Sequence, residues 1–163
     1  MTLTLVPLHP GDGTGRVHAL TAPISFWGGT SLEGTIVDER HPEAGLNLSG
    51  GILVMTASRG SSSSSSILAE QIRLGTATAG IILATRDPII ILGAIAAMEL
   101  YSRSLPIALA DHKQLAEIRL LPRVHLHVTG STATAEAVAE PIAEATGEPA
   151  AEPAAEPSEE HQG

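Results

Sequence analysis

GILVMTASRGSSSSSSILAEQIRLG, residues 51–75, decides how this chain folds. Ile52–Met55 is a short, wholly apolar run followed by the small residues Thr56 and Ala57, as expected of a buried strand. Ile67–Leu74 has another period: Ile67, Leu68, Ile72 and Leu74 fall on one helical arc opposite Ala69, Glu70 and Arg73, with Gln71 as a blemish. Gly75 supplies a helix stop. Between strand and helix lie six consecutive serines, Ser61–Ser66. Serine runs are often flexible linkers. A linker separates domains, however, and this run sits inside one, where serine is a preferred helix N-cap. A strand–Gly–Ser–helix junction gathers free backbone N–H groups at the positive end of a helix dipole, favouring a bound anion by about 0.3–1 kcal/mol. By itself that predicts an anion site. A serine base needs more positive charge nearby, for which Arg59 is a candidate.

The pattern continues downstream. Thr78–Thr85 reads as a second buried strand. Asp87-Pro88 is a strong helix start, with the acid as cap and the proline in the first turn. The following IIILGAIAAMELY (89–101) is apolar nearly all round and predicts a deeply buried helix, with Gly93 allowing close backbone approach. Leu105–Ala110 reads as a strand, Asp111–Ile118 as a short helix, and Arg123–Thr129 as the last strand. Upstream, HPGDGTGR (9–16) reads as Gly-rich polar sequence, Arg16–Ala22 as a strand, Ser25–Gly34 as a turn-rich loop, Gly34–Glu39 as a short strand and His41–Gly50 as another loop. Strands first, then alternating strands and helices, imply a mixed α/β domain with helices packed on a sheet or partial barrel.

Charge divides the 163-residue chain in two. Its formal net charge is −9, but residues 131–163 hold eight glutamates and no lysine or arginine, leaving ten acids against nine bases before them. The expected organisation is a folded body over 1–130 and a disordered Ala/Glu/Pro-rich acidic tail over 131–163, with a transient helix between Thr134 and Ala145. The body lacks the basic field that nucleic acid demands. No apolar run reaches the roughly 18 residues of a membrane span. Met1–Gly13 lacks the basic start and apolar run of a secretory signal, so the expectation is a cytoplasmic protein. With no cysteine, this chain offers no thiolate to zinc or an iron–sulfur cluster.

Other candidates are weaker. Gly11, Gly13 and Gly15 form G-x-G-x-G, which neither follows a strand nor opens a helix and reads as turn-forming. Phe26 and Trp27 are two of the three aromatic residues. They either anchor their loop in the core or flank Gly28 and Gly29, whose backbone would approach a substrate or another chain. His41-Pro42 lies on a loop, where a hydrogen-bonded structural histidine competes with a functional one. His125 and His127 share a strand face, but no third metal ligand is evident.

PISFWGGTSLEGTIVDERHPEAG (23–45) followed by GGILVMTASRGSSSSSSILAEQIRLGTATAGIILATRDPIIILGAIAAMELYSRSLPI (50–107) resembles the small, swivelling domain of aconitase X. The loop SFWGG, the His-Pro pair and RGSS before a helix occur in that family's order. The resemblance runs from about Gly11 to Pro106 and on through Val128, excluding the tail. It implies a swivelling β/β/α fold and one subunit of a two-chain hydro-lyase, inactive alone. A cysteine-containing large subunit would carry an iron–sulfur cluster and most contacts to a small hydroxy-acid substrate; this chain would bind no cofactor.

The family's activities are dehydration of cis-3-hydroxy-L-proline and of phosphomevalonate, and AMELYSRSLPI looks closer to the former. By analogy with aconitase proper, the serine after the Gly60 counterpart acts as base, which is Ser61 here, with Ser62 the runner-up. Aconitase proper has an arginine two positions further on; this chain has Ser63. The activating cation is therefore Arg59 or a partner residue. Ser25, Gly28, Gly29, His41, Gly60 and Ser63 are the implied substrate or interface residues. Swivelling domains also serve as phosphohistidine carriers with Gly-Gly-Thr-Ser-His; here Gly28-Gly29-Thr30-Ser31 is followed by Leu32. A module holding an anion without chemistry is the third possibility.

Overall fold

The computed structural model describes residues 1–141. Seven strands close into a barrel in the order β1-β5-β4-β3-β2-β6-β7: β1 (Thr2–His9), β2 (Gly11–Ala19), β3 (Ile52–Met55), β4 (Gly80–Leu83), β5 (Ile107–Leu109), β6 (Arg123–Val128) and β7 (Ala133–Ala137). β2, β3, β4 and β5 run parallel, and the remaining pairings are antiparallel. A kinked turn, α1 (Phe26–Gly29), precedes the helices α2 (Ser64–Leu74), α3 (Pro88–Tyr101) and α4 (His112–Ile118). The expected partial barrel is thus a complete one, and closure leaves no open sheet edge to protect. No helix among the described residues is long and apolar enough to cross a membrane.

The apolar runs make two cores. Ile52, Val54 and Ile82 point into the barrel with Leu5, Val124, Leu126 and Ala135, and α4 adds Leu115 and Ile118. The alternate residues Leu53, Met55, Ile81 and Leu83 point outward beneath α2 and α3, against Leu68, Ile72, Ile90 and Ala94. A strand with helices on one face and a barrel interior on the other has no solvent face, so its sequence cannot alternate.

Several expectations change. α3 is not deeply buried: Ile90, Gly93, Ala94 and Ala97 face inward, but Leu92, Ile95 and Leu100 are exposed because nothing among the described residues lies over the helix. Gly93 does permit close approach, since a Cβ there would lie 2.8 Å from the Ser65 carbonyl oxygen. Thr2–His9, given no element by sequence, forms β1, and the Gly-rich stretch expected to be turn-forming lies within β2. Gly13 crowds the Ala79 backbone so closely that no side chain fits, so these glycines serve strand packing. Gly34–Glu39 makes only isolated bridges, Thr30 to Ile36 and Thr35 to Asn47. The boundary at 130 falls inside the β6–β7 hairpin; residues 133–137 are strand, not tail or helix, because β7 closes the barrel between β6 and β1. Residues 142–163 of the expected tail lie outside the described residues.

Candidate functional site

The C-terminal ends of the parallel strands open into loops 20–29, 56–63 and 84–87, the edge at which parallel sheets characteristically place ligands. The serine loop lies in the middle. On one side Arg59 N–H donates to the Ile24 carbonyl (3.1 Å). On the other, Ser58 Oγ donates to Asp87 Oδ2, while Asp87 Oδ1 caps α3 by accepting from the N–H groups of Ile89 (3.0 Å) and Ile90 (3.3 Å). Thr56 carbonyl accepts from the N–H groups of Ala84 and Thr85, sealing the two loops together. Gly60 turns the chain at φ +102°, and a Cβ there would stand 2.9 Å from Ser25 Cβ and closer still to its Oγ.

The six serines have different tasks. Ser64 is buried; its Oγ accepts the Trp27 N–H (3.1 Å) and lies 3.5 Å from Ser25 Oγ, which donates to the Trp27 carbonyl (2.8 Å). Ser65 Oγ donates to the Ser62 carbonyl (2.7 Å). Ser63 holds the N-cap position without a side-chain cap bond. Its N–H donates to Ser61 Oγ (3.2 Å), while the N–H groups of Ser64, Ser65 and Ser66 in the first turn are taken by the carbonyls of Ser61, Ser62 and Ser63. Ser61 and Ser62 are both exposed, and of the two only Ser61 receives a backbone N–H among the described residues. A hydrogen bond donated to an oxygen stabilises its anionic form, and the α2 dipole acts in the same sense.

Arg59 Nη2 donates to Asp38 Oδ2 (2.9 Å), and Asp38 Oδ1 also accepts the Arg40 N–H (3.0 Å). The Arg59 charge is therefore partly cancelled and directed to the 38–41 loop. Arg86, beside Asp87 in the loop after β4, is exposed and makes no ion pair among the described residues. It is a second cation near this rim that sequence reasoning did not single out; its only signal was its place before the capping Asp87.

The rim thus sets Ser25 against Gly60, in the loop that carries Arg59, Ser61, Ser62 and Ser63, while Gly28 and Gly29 lie on the adjoining loop after Ser25. His41 stands apart. It is buried, Nε2 bonds the Ala22 carbonyl (3.0 Å), and Nδ1 lies 3.2 Å from both the Glu43 N–H nitrogen and Glu43 Oε2, so both nitrogens are engaged within the loops. Phe26 and Trp27 divide the two expected roles: Phe26 is core, Trp27 is exposed. Gln71 is no blemish, since its buried amide donates to Thr30 Oγ1 (3.0 Å) and the Ser31 carbonyl (2.7 Å), holding the segment after α1. At the opposite end of the barrel His125 Nε2 and His127 Nδ1 meet one oxygen of Asp12 (2.9 and 2.7 Å). Among the described residues, no set of three His, Asp or Glu is arranged to hold a metal ion.

The serine rim is open. Neither of two concave spaces is lined by Ser61 or Ser62: one of about 380 Å³ lies near Asp12, Thr78 and Arg103, and a groove of about 360 Å³ between α2 and α3 is lined in part by Ser65 and Ser66. Such a rim becomes an enclosed site only when another surface covers it.

Against known proteins, residues 2–136 match the family described as the aconitase X swivel domain. The chain belongs to that family. The swivel domain is 42% identical over 99 residues to cis-3-hydroxy-L-proline dehydratase of Pseudomonas aeruginosa, covering 60% of this chain and 17% of that one. It is 36% identical over 88 residues to the phosphomevalonate dehydratase small subunit of Methanothermobacter thermautotrophicus, covering 53% of this chain and 67% of that one. It also superposes on a chain of Thermococcus kodakaraensis aconitase X (holo-form) with a TM-score of 0.69 at 22% identity, over 85% of this chain and 99% of that one. That likeness shows a shared fold. The first two curated relatives, both dehydratases, are far longer: the match covers 17% and 21% of their lengths.

Proposed function

We propose that this swivel domain is the small subunit of an aconitase X-type hydro-lyase and supplies the serine base to a site completed by a cysteine-containing large subunit. The observation that carries the reading is Ser61: an exposed hydroxyl at the mouth of α2, held by the Ser63 N–H at 3.2 Å. In the reaction Ser61, as alkoxide, takes the proton from the carbon beside the substrate carboxylate. The C–H electron pair becomes a carbon–carbon double bond as the C–O bond to the hydroxyl breaks, and the hydroxyl leaves as water after gaining a proton. An iron–sulfur cluster bound in the large subunit would supply Lewis acidity toward that hydroxyl. With no cysteine here, its thiolate ligands would belong to the partner.

Ser62 is the alternative base, lacking only the N–H donor. Because Asp38 offsets part of the Arg59 charge, the positive potential that lowers the serine pKa would come from Arg59 together with Arg86 or the partner. The substrate supported best is cis-3-hydroxy-L-proline, on the 42% identity to the Pseudomonas protein. Phosphomevalonate is the second reading, on the match to 67% of the Methanothermobacter small subunit.

The test is reconstitution. The full chain, mixed with the cluster-loaded large subunit, is expected to dehydrate cis-3-hydroxy-L-proline, and neither chain alone to do so. Full turnover by the isolated chain would contradict the reading; turnover of phosphomevalonate alone would select the second substrate.

A further inference from the structure

Trp27 is the one tryptophan in the sequence, and 57% of it is exposed. This is not the exposure of a slack loop. Phe26, its neighbour, is 1% exposed in the core, and its carbonyl accepts from Thr30 Oγ1 (3.1 Å). The Trp27 backbone is fixed at both ends, its N–H by the buried Ser64 hydroxyl and its carbonyl by Ser25 Oγ. The loop leaves its helical path at Trp27 itself and at Gly28, whose φ of +75° is open to glycine at no steric cost. Val37, also exposed, is tied to the same loop through its N–H to the Gly29 carbonyl (2.9 Å), and Asp38 after it holds Arg59. The indole N–H has no acceptor among the described residues.

A rigid loop therefore uses a buried hydroxyl of the serine run to present a large amphipathic side chain to the outside, next to the serine loop. Tryptophan so presented is the residue most enriched among interface anchors, and its N–H requires a partner when it becomes buried.

We propose that Trp27, with Val37 tied to the same loop at Gly29, is the anchor on which the large subunit closes over the serine loop. This rests on the reading of the chain as a dehydratase small subunit. The occupant follows from continuity: Ser25 holds the Trp27 carbonyl and packs against Gly60, and Ser64 of α2 holds the Trp27 N–H, so the indole's loop borders the serine loop and a surface that covers Ser61 extends onto it. In the relatives from Pseudomonas aeruginosa and Hypocrea jecorina, the part matching this chain is 17% and 21% of a longer polypeptide, so there the matched segment belongs to the same molecule as a much larger remainder. The complementary surface is an apolar pocket with a hydrogen-bond acceptor for the indole Nε1–H.

The probe is the full chain labelled with 5-fluorotryptophan, which gives a single fluorine resonance. Adding the large subunit is expected to shift that resonance and abolish its solvent-isotope shift between H2O and D2O. Trp27→Ala is expected to weaken subunit association at least tenfold by calorimetry and Trp27→Phe to weaken it less, while Ser61→Ala leaves association unchanged. A complex that forms with the resonance still solvent-exposed, or with Trp27→Ala at full affinity, overturns the inference and leaves the dehydratase reading standing. Full affinity with a raised KM would assign Trp27 to the substrate instead and also overturns it. If the unaltered chains do not associate, the reading beneath it fails as well.

Discussion

Gly60 packs against Ser25 with no space for a side chain between them. A Cβ on Gly60 would reach 2.9 Å from Ser25 Cβ, in a backbone conformation of φ +102° that other residues rarely adopt. That contact sets the serine loop against the Trp27 loop and fixes where Ser61 stands. Gly60→Ala should therefore carry both a strained backbone and a clash, destabilising the fold by about 1–3 kcal/mol. Thermal denaturation and turnover of the assembled enzyme check this; the expected result is a lowered midpoint and a lost kcat together.

Ser64 predicts a different pattern. Its buried Oγ is the acceptor for the Trp27 N–H. Ser64→Ala leaves that N–H without its partner, at a cost of about 1 kcal/mol. Urea unfolding should show the loss. Turnover should fall far less than for a serine that takes the proton.

Asp87 couples two loops. It caps α3 through Ile89 and Ile90 and accepts from Ser58 in the serine loop. Asp87→Ala should cost about 1–2 kcal/mol, in the range of a lost N-cap. Asp87→Asn, which keeps a cap but loses the charge, should recover most of the stability in the same denaturant titration.

The His125–Asp12–His127 cluster predicts a pH dependence. Hydrogen bonds from His127 and then His125 hold the Asp12 carboxyl below the usual carboxylate range, against a small opposing effect of burial. A carboxyl depressed in the folded state stabilises the fold above its unfolded pKa, near pH 4, and loses that contribution as pH falls through its folded value. Asp12→Asn should thus melt slightly lower than the unaltered chain at neutral pH, and the two melting curves should converge as pH falls below about 4. The effect is small, because the side chain is 61% exposed.

Parts of this molecule are legible in its residues. Ile52–Met55 and the Ile67–Leu74 arc define a strand and a helix, and the serines between them have to lie at the helix mouth. Asp87-Pro88 marks the start of α3 unambiguously. β1 and the first half of β2 are less so: their partners are β5, β6 and β7, distant in sequence, and Gly11, Gly13 and Gly15 read as turn residues when their packing against Ala79 and Gly51 is unseen. β7 hides in Ala133–Ala137, where two of five residues are buried and only barrel closure makes a strand of them. The site is legible as a cluster, since Arg59–Ser63 and Ser25–Gly29 each read as loop. Their contact is not, nor is the division of labour among Ser61, Ser62 and Ser64, which depends on a neighbour 37 residues away. The pairing of Arg59 with Asp38 is likewise a tertiary fact.

The most direct measurement compares Ser61→Ala with Ser62→Ala in the reconstituted two-chain enzyme, with subunit association verified for each. Loss of a proton-transfer group typically costs about 10²–10⁴-fold in rate. Ser61→Ala should lose at least a hundredfold in kcat with the complex intact, and Ser62→Ala should stay within a few-fold of the unaltered enzyme. Undiminished turnover by Ser61→Ala would contradict the assignment of that hydroxyl as the base.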